Sequence, residues 1–179
     1  NSNTSGSSIV AIGNNALYSG TASGWHIAIG SSSLYSYTGA NYGNIAIGYQ
    51  SLYSCISGSS STAIGTFAAR NTTNPTDTTA IGFEALYSNT TGFQNTAVGS
   101  NALFSNTSGY GQTAMGYSAL YSANGSSNSA FGFMSLYLTT TGTSNTAIGY
   151  QTLYKNTSGS TNVAIGYQSL YNSNGGQYN

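Results

Sequence analysis

Charge is nearly missing from this chain. Its 179 residues include two cationic and two anionic side chains, Arg70, Lys155, Asp77 and Glu84, where an ordinary globular domain is about one quarter charged. Two cations cannot neutralise a phosphate backbone, so nucleic acid is not an expected partner. One His, one Asp and one Glu leave almost nothing from which to build an acid–base pair or a metal centre. The expectation is therefore a chain without enzymatic activity, catalytic residues, metal ligands or cofactors. His26 reads as a surface variant, and no glycine-rich stretch carries the Gly-Lys-Ser/Thr ending of a phosphate loop. No apolar run approaches the roughly 20 residues of a membrane helix, so no membrane span is expected. Cys55 has no cysteine partner within the chain. It reads as an incidental small residue, with cross-linking of neighbouring chains as the sharper alternative. The one proline, Pro75, cannot donate to a β-ladder and belongs in a turn or bulge.

Small polar residues fill the space that charge leaves. Ser, Thr, Asn and Gly make up 98 of the 179 residues. The hydrophobic fraction is still 39% and the aromatic fraction 13%, which argues against disorder. The tripeptide Ala-(Ile/Val/Met/Phe)-Gly occurs ten times, with its glycine at 13, 30, 48, 65, 82, 99, 116, 132, 149 and 166. The step is 17 residues, with one of 18 around Ala40–Gly43 and one of 16 near Gly125. The whole of 1–179 therefore reads as a single repeat array of ten units. It is most irregular over 66–79, where a degenerate repeat is the plain reading and a recognition loop the sharper one. The first residues, Asn1 to Gly6, resemble the second half of a repeat, so the array is expected to be a segment or protomer of a longer fibre.

A period of 17 is too short for helix pairs, which need more than about 30 residues. It fits one turn of a parallel β-solenoid or β-roll, an all-β fold of about ten coils. At the usual strand spacing of about 4.8 Å, ten coils make a rod on the order of 50 Å long. Thr-Ala-Ile alternates with the period of a strand, and the following Gly permits a corner. Two apolar columns are expected to stack on themselves as the core. One is Ile12, Ile29, Ile47, Ile64, Ile81, Val98, Met115, Phe131, Ile148 and Ile165; the other is Leu17, Leu34, Leu52, Leu86, Leu103, Leu120, Leu136, Leu153 and Leu170. The invariant Ala between Thr and Ile must lie against something, either the opposite wall of a thin roll or another chain, with the thin roll preferred. Beside each Leu stands Tyr or Phe; in the coil where Ala69 is the single exception to Leu, Arg70 breaks the ring column and is expected to pair with Asp77 or Glu84. Charge is avoided for the same geometric reason: a charged column would set like charges about 5 Å apart.

The segments Asn162-Val163-Ala164-Ile165-Gly166 and Asn145-Thr146-Ala147-Ile148-Gly149 resemble the head repeats of trimeric autotransporter adhesins. The longer stretch from Asn145 to Gly159 resembles repeat arrays in phage and giant-virus fibre proteins. The resemblance implies a left-handed parallel roll placed outside the cell or on a virion surface. It also implies self-association, as a homopolymer or homotrimer, with surface glycans as a further partner class.

Asn-x-Ser/Thr sequons occur at Asn3, Asn71, Asn89, Asn106, Asn124 and Asn156. About six are expected by chance from this composition, but Asn3, Asn89, Asn106 and Asn156 each precede a turn Gly by three residues, which would set glycans in one stripe. Three functions remain in view. The leading one is an extracellular filament built by coil-on-coil, head-to-tail stacking, with glycans on its surface. The alternative is an adhesin head or viral fibre shaft that binds host glycans or matrix. An ice-binding solenoid is the weakest, because no Thr-x-Thr row is present.

Overall fold

A computed structural model describes residues 8–19, 24–40 and 43–179. It contains ten short strands and, among the described residues, no helix: β1 Ile9–Ile12, β2 His26–Ile29, β3 Asn44–Ile47, β4 Thr62–Ile64, β5 Thr79–Ile81, β6 Thr96–Val98, β7 Thr113–Met115, β8 Ser129–Phe131, β9 Thr146–Ile148 and β10 Val163–Ile165. They form one parallel sheet in chain order, β1 to β10. The register sets each residue on its own repeat equivalent, as in Ala97↔Ala114 and Ala130↔Ala147. The chain is a β-solenoid, each coil hydrogen-bonded to the coil before it and the coil after it.

The strand dictates which side chains enter the interior. Alternation puts Ala and Ile on opposite faces, and Ala is the one that points in. The strand alanines from Ala28 to Ala147 are at most 1% exposed in the isolated chain, so they pack within their own roll. The expected Ile core is corrected accordingly. Ile12, Ile64, Ile81, Met115, Phe131, Ile148 and Ile165 are exposed, and Ile29, Ile47 and Val98 only half-buried. The reason is room: the strand wall meets the opposite wall across a space that admits a methyl group and no branched chain at this position.

The Leu column behaves as expected. Leu17, Leu34, Leu52, Leu86, Leu103, Leu120, Leu136 and Leu153 are fully buried; Leu170, in the last coil, is half open to solvent. These leucines sit in the left-handed region, with φ between 48° and 55°, a conformation that costs an L-residue about 1–2 kcal/mol. Burying the side chain returns about 1.5–3 kcal/mol. The backbone is then fixed by a bond to the next coil, as from Leu103 N to Ala119 O at 2.9 Å. Only a large apolar residue in a closed interior offsets that strain.

Preceding each corner is the strand glycine, with φ between 117° and 142°. A Cβ built on Gly99 would lie 2.5 Å from the carbonyl oxygen of Gly116, so both dihedral and space require glycine. Polar ladders complete the interior. The side chain of Asn145 accepts through Oδ1 from the backbone N–H of Asn162 at 3.0 Å and from its Nδ2 at 3.1 Å, while its own Nδ2 donates to Gly159 O at 2.8 Å. Buried amides satisfied in this way cost little, whereas one removed from the ladder leaves its neighbours unpaired.

The stretch 66–79 follows the common path. Pro75 is buried in a turn and its carbonyl accepts from Ser59 N at 2.8 Å, and β5 enters in register directly after it.

Chemical denaturation will separate the two apolar columns. Leu103→Ala is expected to cost about 2–5 kcal/mol and Gly99→Ala more than about 2 kcal/mol. Val98→Thr, on the outer face, is expected to cost less than about 1 kcal/mol in dilute monomer. A Val98→Thr loss equal to that of Leu103→Ala would contradict the inward and outward assignment.

Candidate functional site

Sequons fall into three environments. Asn3 lies outside the described residues. Asn89, Asn106 and Asn156 are fully buried, and each donates Nδ2 to the carbonyl of the turn glycine three residues on, at 2.9, 3.0 and 3.0 Å. That nitrogen is the atom an N-glycan would occupy, and it faces the interior. The expected glycan stripe is therefore corrected at these three positions: the phase that aligned them is the phase of a buried ladder. Asn71 is half-buried, with Oδ1 accepting from Arg70 Nη1 at 3.1 Å. Asn124 is exposed, and its Oδ1 accepts from Thr107 N and Oγ1 at 2.8 and 2.9 Å, which leaves its Nδ2 pointing away from that turn.

Aromatic side chains build two external columns. Tyr87, Phe104, Tyr121, Tyr137, Tyr154 and Tyr171 stack at centroid separations of 5.0 to 5.3 Å. Tyr18, Tyr35 and Tyr53 form the same stack in the first three coils. Arg70 bridges the two runs, its guanidinium carbon 5.1 Å from the Tyr53 ring and 6.0 Å from that of Tyr87. A planar cation thus stands where other coils place a ring. The expected ion pair with Asp77 or Glu84 is replaced by hydrogen bonds from Arg70 Nε to Gln50 Oε1 at 2.7 Å and from Nη1 to Asn71. The second column follows the strand glycine: Tyr117, Phe133, Tyr150 and Tyr167 stack at 5.2 Å. In both columns the ring faces are turned to one another and the edges to solvent.

The phenols of Tyr121 and Tyr154 are held above the ordinary tyrosine range, first by loss of solvent and then by neighbouring rings, Tyr137 foremost. A group that keeps its proton more tightly when folded adds stability that is complete below the unfolded pKa, about 10 for tyrosine, and is lost as pH rises through the folded value.

Cys55 occupies the column that holds Thr72, Asn89 and Asn106, and is fully buried. Burial pushes its thiol up to about 12, against a smaller opposing effect of a backbone hydrogen bond at Gly58. Such a thiol does not cross-link neighbouring chains, which corrects the sharper reading of this residue. His26 is not a surface variant either. It is buried at the head of the amide ladder, paired in register with Asn44, accepts from Asn44 N through Nδ1 at 3.4 Å and meets the Tyr37 ring edge-on at 4.7 Å. Sequence offers one clue to this placement: His26 stands two residues before the strand alanine, the ladder position.

Beside His26 the first three coils carry Val10, Ile27 and Ile45 where the later coils carry outward Thr, apart from Ser129 and Val163. With Trp25, which is 65% exposed, they line a groove of about 320 Å³. Among the described residues no cluster of His, Cys, Asp or Glu is suited to a metal ion, and no helix is long and apolar enough to cross a membrane. Comparison with known proteins finds no matching family model, no similar curated protein and no similar solved structure.

Two solution measurements test these environments. Native Cys55 is expected to resist iodoacetamide at pH 8 and to react fully once the chain is denatured; rapid native alkylation would refute its burial. The Tyr121→Phe, Tyr154→Phe double variant is expected to lose the highest-pH part of the native tyrosinate absorbance rise. A loss centred on the ordinary tyrosine range, about pH 10, would contradict the raised phenols.

Proposed function

We propose that this chain is a structural protein whose solenoids stack head to tail into an extracellular filament, on a cell or virion surface. The observation that carries this reading is the unbroken in-register pairing from β1 to β10. Each coil is a template for the next: among the described residues β1 and β10 each have one strand neighbour, and apart from Val163 N, which donates to Asn179 O at 2.8 Å, their outer edges offer N–H and C=O groups to a further coil. Uniform coils and ring faces spent on self-stacking favour a load-bearing rod over a carbohydrate-reading surface. Surface glycosylation, within this reading, falls on Asn124 before any other described sequon, because its amide is exposed.

One observation favours the second reading, an adhesin head or viral fibre shaft that binds host glycans. The Trp25 side chain, 65% exposed beside the groove of Val10, Ile27 and Ile45, supplies aromatic surface of the kind that packs on a sugar.

Electron microscopy over a concentration series distinguishes the two. Rods whose length grows with concentration, with a layer spacing of about 4.8 Å, are expected for the filament. Ala11→Pro, which introduces a ring into the β1 edge, is expected to shorten them. Particles that stay about 50 Å long at every concentration would overturn end-to-end growth. Binding on a glycan array that is lost in Trp25→Ala would move the function to adhesion.

A further inference from the structure

The apolar residues that the roll turns outward form a continuous stripe. In the last four coils the strand column supplies Met115, Phe131, Ile148 and Ile165, and the column two residues further on supplies Tyr117, Phe133, Tyr150 and Tyr167; all eight are exposed. Two residues of chain span at most about 7 Å, so the columns run side by side along the rod. Their combined accessible surface is on the order of 800 Å², more than the 300–600 Å² of the largest apolar patch on a typical monomer.

We infer that this stripe is a lateral interface, and that its occupant is the same stripe of a second copy of this chain. Three observations select that partner. The area matches the roughly 800 Å² per side of a stable protein interface. The stripe carries none of the four charged residues, so it offers nothing to a charged partner and sets up no repulsion against its own copy. Its apolar side chains recur once per coil, and a second solenoid brings the same repeat, so every coil of one rod meets a coil of the other. Outward Thr113 and Thr146 on one side and Gln151 and Gln168 on the other give the polar rim such an interface needs. The exposed sequon Asn124, followed directly by Gly125, lies in the turn segment before β8, outside both columns, and leaves the stripe uncovered.

This contact is lateral and stands apart from end-to-end growth, since width reports one and length the other. The test uses the full chain with single cysteines, Cys55 being buried. Ile148 lies near the centre of the stripe and meets its own or the adjacent coil whether the rods run parallel or antiparallel. Ile148→Cys is expected to give a covalent dimer with a short bismaleimide, and Ser158→Cys, exposed on another corner of neighbouring coils, is expected to give at least tenfold less. Phe133→Lys is expected to raise the dimer dissociation constant at least tenfold by sedimentation equilibrium, with circular dichroism unchanged. Single rods at tens of micromolar, equal cross-linking at both positions, or a native glycan bound over the stripe would each overturn the inference, even where filaments of single-rod width still lengthen.

Discussion

In the described coils the strand residues stand in register on their own repeat equivalents, one strand spacing away along the rod, and most of the composition follows from that. A charge repeated at about 5 Å repels itself, so charge is nearly absent. An amide repeated at the same distance pairs with itself, and the Asn128–Asn145–Asn162 ladder is fully bonded in consequence. A ring repeated at that distance stacks, which explains the two aromatic columns. The few exceptions are tolerated where they imitate the column they interrupt. Arg70 replaces a ring with a planar cation, and His26 replaces an amide with a ring nitrogen that accepts the same backbone bond.

A second constraint is the narrowness of the interior. Most coils bury one large apolar side chain, and the fold gives that place to Leu rather than Ile; the coil of Leu34 buries Tyr37 as well, and in one coil Ala69 takes the Leu position. The strand contributes only Ala, so the wall that looks most hydrophobic in sequence is turned outward. The strain stored at each left-handed Leu is comparable to what its burial returns. A single coil therefore has little net stability of its own, and cohesion arises from the bonds and contacts between coils. Such a solid holds together by length, as expected of a one-dimensional array.

The coil, its period and its turn residues were legible because they repeat ten times. The Leu column and the buried Ala were legible too, the latter because a solvent-facing position in so Ser- and Thr-rich a chain would not stay Ala. What sequence did not reveal was on which side of the strand the interior lay. Thr-Ala-Ile reads equally well with Ile inside, and only the distance across the roll decides against it. The buried sequons were missed for a related reason. Asn-Thr-Ser-Gly has the composition of an exposed turn, yet Asn89, Asn106 and Asn156 point inward, because their amides satisfy the carbonyl of the turn glycine. For Cys55 and His26 the residue type alone is uninformative; the column each occupies determines its burial.

The departures from regularity are unevenly distributed, and that asymmetry bears on function. Trp25, His26, Tyr37, the extra residue around 40–43, Cys55, Arg70 and Pro75 all fall in the first half of the chain. Most are absorbed by the roll: His26, Tyr37, Cys55 and Pro75 are buried, and Arg70 completes a stack. Trp25 alone among these described residues is broadly exposed. The later coils are nearly uniform and carry the unbroken outward row of Met115, Phe131, Ile148 and Ile165 beside stacked rings. A face that repeats without change suits a partner that also repeats, whereas one exposed ring beside a groove suits a single small ligand. The two ends of this rod therefore differ in kind: one carries a single exposed ring beside a groove, and the other repeats nearly the same surface chemistry from coil to coil.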